Sequence, residues 1–164
     1  MRIVILGILI FLCYTSHGQK IALLSKDFKS PILYTDSLTV EQVSSGRFAV
    51  AVSDLDTLIG SLTYLRNLLQ ELTRSKLQSW EFRSGRTSIQ VNRIPLAYGD
   101  RYAILAVSKF DEISSTLNLS TEKNNKRNAD KINRMLSYIA KNRTVLREWY
   151  EVKPKMYQVV IIGE

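Results

Sequence analysis

Four basic side chains recur at helical spacing in the last third of the sequence, and they are its best candidates for binding a ligand. Arg127, Arg134 and Lys141 are seven residues apart, and Lys123 falls near the same line. Seven residues are close to two turns of an α-helix, so these side chains would project from one side of it. Tyr138 borders the row, where an aromatic ring beside cations suits stacking on a sugar or a base. We therefore predict a binding surface made of these five residues.

The positive charge of the chain is concentrated around this predicted surface. The full sequence carries a net charge of +8 at pH 7. Between Thr121 and Lys155, ten basic residues stand against four acidic ones, which gives this segment a net charge of +6. Positive charge gathered on one element attracts polyanions or anionic lipid headgroups. The alternative interpretation is a charged, solvated face that only keeps the protein soluble.

Carboxylates are the second set of side chains that could do chemistry. Asp54 and Asp56 form one closely spaced pair, Asp111 and Glu112 form another, and Asp100 is a fifth candidate. Two converging carboxylates can act as general acid and base, and several can hold a hard cation through oxygen. The first pair also has a simpler role, because acidic residues stabilise the N-terminal end of a helix. A carboxylate-dependent hydrolase, with or without an oxygen-ligated metal, is therefore the alternative function.

The first eighteen residues have the pattern of a secretory signal peptide. Arg2 supplies a positive start, and the run Ile3–Tyr14 is almost entirely apolar. This run of about twelve residues is shorter than the roughly twenty that a membrane-spanning helix needs. Small residues before Gln19 predict a cut between Gly18 and Gln19. We therefore expect export to the periplasm or the medium, with residues 19–164 as a single mature domain. The alternative is a buried N-terminal element in a protein that is never exported.

Cleavage at that point would remove the only cysteine and the only histidine, Cys13 and His17. The mature chain could then hold neither a Ser-His-Asp nor a Cys-His nucleophilic site, and no zinc site built on imidazole or thiolate. The sequence also has no glycine-rich phosphate loop and no calcium-loop spacing. We therefore expect no catalytic residue, no metal site and no cofactor. These exclusions depend on removal of the leader.

Several segments have the composition and alternation of β-strands. LTVEQVSSGRFAVAV predicts two strands around a turn at 44–46, with Phe48, Val50 and Val52 on one face. YAILAVSKF is a continuous apolar run typical of a central strand buried on both faces. MYQVVII predicts a final strand, whereas DEISSTLNLS fits either a short strand or a helical turn.

WEFRSGRTSIQVNRI predicts a β-hairpin with an internally consistent register. A two-residue turn at Ser84-Gly85 would place Phe82 opposite Thr87. Side chains alternate between the faces of a sheet, so one face of this hairpin becomes apolar and the other polar. The predicted apolar face consists of Trp80, Phe82, Thr87, Ile89 and Val91.

Two segments have the periodicity of long amphipathic helices. The first follows Ser53, a good N-cap, and has an apolar stripe. Its members are Leu55, Leu58, Leu62, Leu65, Leu69 and Leu72. The second runs from about Asn128, with Asn128 and Asp130 as start signals, to Pro154. Its stripe consists of Ile132, Met135, Ile139, Leu146 and Trp149. These elements predict an α+β domain, a mostly antiparallel sheet of five or six strands with two long helices on one face.

One stretch resembles a pattern found in small, uncharacterised secreted bacterial proteins. It consists of FAVAVSDLDTLIGSLTYLRNLL followed by WEFRSGRTSIQV, and the resemblance covers roughly Phe48 to Val107. In that pattern, a strand leads into a leucine-rich helix and then into a Ser-Gly or Gly-Gly hairpin. The resemblance implies export and brings no functional residue with it.

Taken together, these patterns favour an exported domain that binds rather than catalyses. Its expected partner is another protein or an anionic surface, met by the basic helix, and nucleic acid is a less favoured partner. We expect no transmembrane segment in the mature chain. A homodimer is an alternative, because apolar stripes on two helices can also pack against a second copy.

Overall fold

The computed structural model describes residues 20–71, 79–121, 123–142 and 158–160. The predicted leader over residues 1–18 lies outside these residues, as do Leu72, Leu146 and Trp149. Strands and helices follow one another in this order: β1 Ile21–Ser25, β2 Leu33–Thr35, α1 Val40–Ser44, β3 Arg47–Ala51, a 3-10 turn Val52–Asp54, α2 Leu55–Glu71, β4 Trp80–Ser84, β5 Thr87–Ile94, β6 Arg101–Phe110, β7 Ile113–Asn118, α3 Asn125–Asn142 and β8 Gln158–Val160.

The described strands form two antiparallel sheets. The smaller sheet has the order β2-β1-β3, and the larger has the order β7-β6-β5-β4, with β8 added at the edge of β4. The predicted α+β class with antiparallel pairing is therefore confirmed, whereas the predicted single sheet of five or six strands is not matched exactly, because a second sheet of three strands is present. The two sheets meet through a side chain, because the Ala49 N–H donates to Ser115 Oγ at 2.9 Å.

The core lies between the inner faces of the sheets and the two longer helices. The leucine stripe of α2 is buried as predicted from Leu55 to Leu69. On α3, Ile132, Met135 and Ile139 are each fully buried in the same apolar cluster. Because one cluster joins both helices to strands of both sheets, burial of apolar area holds the elements together.

The first predicted strand pair is a helix followed by a strand. Residues Val40–Ser44 form the short helix α1, and only Arg47–Ala51 is a strand. Thr39 caps the helix through its side chain, and the Gln42 side chain accepts from the Thr39 N–H at 2.8 Å. This reciprocal capping box fixes the first turn of the helix. The β-forming valines of α1 therefore do not make it a strand.

The hairpin of β4 and β5 keeps its predicted faces but turns one residue later. Ser84 pairs with Thr87 and Phe82 with Ile89, so Gly85 and Arg86 form the two-residue loop. Gly85 has φ +53°, as a glycine at the first central position of a type II′ turn requires. Moving the turn by one residue shifts the pairing by two, which leaves each side chain on its predicted face.

Strand β6 is central, between β5 and β7, as its apolar run indicates. It is buried on both faces only in its second half, at Ala106, Val107 and Ser108. In its first half Tyr102 and Ile104 face the core, while Ala103 and Leu105 on the outer face are half-buried. The ambiguous segment after it is strand β7. Among the described residues, no helix combines the length and apolar character needed to cross a bilayer.

Candidate functional site

Helix α3 begins at Asn125, three residues before the predicted Asn128. The Asn124 side chain caps it, because Asn124 Oδ1 accepts from the Arg127 N–H at 2.9 Å. Asn125 donates to the Asp100 carbonyl at 2.9 Å and accepts from the Tyr102 N–H at 3.2 Å. These bonds fix the start of α3 against the start of β6.

Asn128 is an interior residue of α3 rather than its start. Its side chain is fully buried. Nδ2 donates to the Tyr102 carbonyl at 3.0 Å, and Oδ1 accepts from the Thr121 N–H. One buried amide thus joins α3 to β6 and to the segment that follows β7, and it sets the rotation of the helix about its own axis.

That rotation places the basic side chains of α3 in solvent. The structure exposes all four cations predicted for the site, and Lys126 joins them in the first turn. We call these residues the α3 basic face: Lys123, Lys126, Arg127, Arg134 and Lys141. From Arg127 to Lys141 the helix rises about 21 Å. Sequence reasoning missed Lys126 because it lies off the seven-residue repeat, although its place directly before Arg127 was a visible signal.

None of the five cations forms an ion pair with another described residue. The ion pairs between described residues all lie outside the α3 basic face. Lys131, on the same helix, behaves differently. Its Nζ donates to the Asn118 carbonyl at 2.7 Å, and burial together with the nearby charge of Arg134 lowers its pKa. The α3 basic face therefore has unneutralised charge, whereas Lys131 has a structural partner.

Tyr138 does not belong to this face, which corrects the sequence prediction. The residue is buried, and its ring packs against Phe28 with the ring centroids 5.9 Å apart. Its hydroxyl donates to the Ser30 carbonyl at 2.9 Å and accepts from the Ser25 N–H at 3.0 Å. The ring is therefore not free to stack on a sugar or a base, because it anchors α3 to the segment after β1.

Burial also governs the ionisation of two tyrosines in this region. Desolvation raises the pKa of Tyr138, and desolvation raises the pKa of Tyr34 to about 12, with a smaller contribution from Tyr138. Raised values keep both phenols neutral far above physiological pH. Neither tyrosine therefore has the ionisation behaviour of a general base at neutral pH.

Asp54 supports the hairpin tip rather than a catalytic site. Its carboxylate is buried and accepts from the Arg86 N–H at 2.8 Å and from Ser53 Oγ at 3.1 Å. Thr87 Oγ1 lies 3.5 Å from the same carboxylate and 2.8 Å from Ser108 Oγ. A β-carbon on Gly85 would lie 2.3 Å from Asp54 Oδ1, so glycine is required there for steric reasons as well.

Among the described residues, the other candidate carboxylates form no group of three with Asp54, although Asp54 and Asp111 both contact Arg86. Asp100 pairs with Arg93 at 2.8 Å near the β5–β6 loop, and Asp111 pairs with Arg86 at 3.4 Å beside the β4–β5 turn. Asp56 is on α2, and Glu112 is exposed between β6 and β7. Within the described ranges, no three acidic, histidine or cysteine side chains lie close enough to hold a metal ion.

The arrangement that can bind a ligand is thus a row of exposed cations without an ion-pair partner among the described residues, held by buried amide bonds and apolar packing. Such a surface attracts anions over a distance of about 10 Å at moderate salt. The resemblance to secreted bacterial proteins stays a prediction. Comparison with protein-family models, curated proteins and solved structures finds no match to this chain.

Proposed function

We propose that this protein is an exported, non-enzymatic binding domain that uses the α3 basic face to hold an anionic partner. The observation that carries the proposal is the lack of ion-pair partners, among the described residues, for Lys123, Lys126, Arg127, Arg134 and Lys141. Cations kept only for solubility are commonly interspersed with acidic residues. On the exposed side of α3, Asp130 is the one described acidic residue.

The position of two of these cations supports the same proposal. Lys126 and Arg127 lie in the first turn of α3, which contains no acidic residue. Positive side chains there oppose the helix dipole and cost a few tenths of a kcal/mol each. Neither side chain makes a hydrogen bond to another described residue that would offset this cost. An anion bound at this end would offset it, because it meets both the side chains and the positive end of the helix.

Removal of three charges from the α3 basic face should weaken binding to heparin, a soluble polyanion. We expect the full chain with Arg127→Gln, Arg134→Gln and Lys141→Gln to bind roughly tenfold more weakly at low salt. Affinity of the unsubstituted chain should fall as salt rises, because counterions screen exposed charges. Isothermal titration at two salt concentrations measures both effects.

A matched variant separates a specific surface from total charge. Lys26→Gln, Lys29→Gln and Lys109→Gln remove the same charge from residues that lie off α3. The proposal expects this variant to keep most of the affinity. Equal loss in the two variants would show that only net charge matters, and binding that is absent or insensitive to salt would rule the proposal out.

A further inference from the structure

The loop between β5 and β6 holds two large apolar side chains in solvent. Leu96 is 53% exposed and Tyr98 is 105% exposed. A turn closes the loop, with the Gly99 N–H donating to the Leu96 carbonyl at 3.3 Å and Gly99 at φ +116°. The other large exposed apolar residues of the described chain occupy separate elements: Leu33 on β2, Val40 on α1 and Tyr64 on α2. Among the described elements and loops, this loop alone carries two of these residues.

The same end of the molecule carries the first half of the α3 basic face. Asp100 follows the loop directly, and its carbonyl accepts from Asn125 at the start of α3. Lys123, Lys126 and Arg127 are all within two residues of Asn125 in sequence. The two exposed apolar residues and three cations without an ion-pair partner in the described part of the chain are thus neighbours, although their sequence positions are about 25 residues apart.

We propose that this end is a membrane-binding tip, in which Leu96 and Tyr98 enter one leaflet of an anionic lipid membrane while Lys123, Lys126 and Arg127 bind the headgroups. The inference rests on the proposed function and names its anionic partner. Tyrosine favours the boundary between headgroups and acyl chains. Basic residues near an anionic leaflet are attracted by its negative surface potential.

The exposure of the two side chains, with cations beside them, favours lipid over a protein partner. Leu96 and Tyr98 are both largely exposed in the loop between β5 and β6, next to the start of α3. A protein partner would need a preformed hole of matching shape, whereas a fluid leaflet opens around an inserted side chain. Apolar insertion combined with attraction of basic residues is the usual arrangement in peripheral membrane binding.

Vesicle binding by the full chain tests this inference. We expect binding to vesicles that contain phosphatidylglycerol and much weaker binding to pure phosphatidylcholine. Leu96→Ser with Tyr98→Ser should weaken binding to the anionic vesicles about a hundredfold, because burial of each of the two large apolar side chains is worth roughly tenfold. The control, Leu33→Ser with Tyr64→Ser, removes a leucine of similar exposure and a half-exposed tyrosine from other elements and should bind like the unsubstituted chain.

Heparin binding distinguishes failure of the inference from failure of the proposed function. The Leu96/Tyr98 variant should keep its heparin affinity, because heparin offers no apolar phase. If this variant binds vesicles normally, the membrane tip is wrong while the α3 basic face survives. If the unsubstituted chain binds neither heparin nor anionic vesicles, both proposals fail.

Two further outcomes would overturn the membrane tip. Equal binding to neutral vesicles would show that charge has no part in it. A dimer in light scattering that the Leu96/Tyr98 substitutions disperse would identify a second copy as the partner that binds the loop.

A Tyr98→Trp variant tests insertion of the loop directly. Brominated lipid should quench the fluorescence of the tryptophan introduced at position 98, and should not quench that of the tryptophan introduced at position 64 in a Tyr64→Trp control.

Discussion

Replacement of Asn128 by alanine is expected to lower the free energy of unfolding by about 3 kcal/mol. The side chain is fully buried, and its loss leaves the Tyr102 carbonyl and the Thr121 N–H without their partner. A buried polar group that loses its partner bears the full cost of its lost hydration. Asn128→Asp should be nearly as harmful, because a carboxylate oxygen would face the Tyr102 carbonyl in place of a donor. Urea denaturation followed by circular dichroism measures both changes.

Asn133 provides the control for this prediction. It is on the same helix and half-buried, and its Oδ1 accepts one bond, from Arg66 at 3.2 Å. Asn133→Ala should therefore cost about 1 kcal/mol or less. If Asn128→Ala proved as mild as Asn133→Ala, the buried amide would not be what fixes the rotation of α3, and the orientation of the α3 basic face would need another cause.

Replacement of Gly85 by alanine is expected to cost about 3 kcal/mol, most of it from overlap with Asp54. The new β-carbon would lie 2.3 Å from Asp54 Oδ1, and φ +53° is itself unfavourable for a residue with a side chain. Removal of the carboxylate removes the overlap. In an Asp54→Ala background, Gly85→Ala should therefore cost only about 1 kcal/mol, the strain of the positive φ.

A double-mutant cycle isolates this interaction from the general cost of each change. Gly46 supplies the control, because it has φ +82° and no atom within 4 Å of a built β-carbon. Gly46→Ala should cost about 1 kcal/mol in either background. Additive effects of Asp54→Ala and Gly85→Ala would contradict the close packing of the carboxylate against the hairpin tip. In that case the contact with Asp54 would not explain why the β4–β5 turn lies one residue later than predicted.

Features set by nearby residues were predictable from the sequence. The leucine stripe of α2 and the two faces of the β4–β5 hairpin follow from periodicity, which is a local property. The capping box of Thr39 and Gln42 was equally local, but the valines at 40 and 43 favoured a strand and concealed it. Arg127, Arg134 and Lys141 are exposed on one helix because their seven-residue spacing is close to the helical repeat, and Lys123 is exposed just before that helix.

Features set by distant residues were not predictable. The bond from Arg86 to Asp54 spans 32 residues and fixes the turn at Gly85-Arg86. The two sheets meet through Ala49 and Ser115, which are 66 residues apart. Tyr138 was assigned to the basic surface because its buried partner, the Ser30 carbonyl, is 108 residues away. In each case a tertiary hydrogen bond overrides the local pattern.

Lysine reactivity tests most directly whether the α3 basic face is the binding surface. The full chain is acetylated briefly with and without heparin, and the modified fraction of each lysine is measured by mass spectrometry. We expect heparin to protect Lys123, Lys126 and Lys141 and to leave Lys29 and Lys109 unchanged, since the last two are exposed on other elements. Equal protection of all five lysines, or protection of none, would contradict a binding surface on α3.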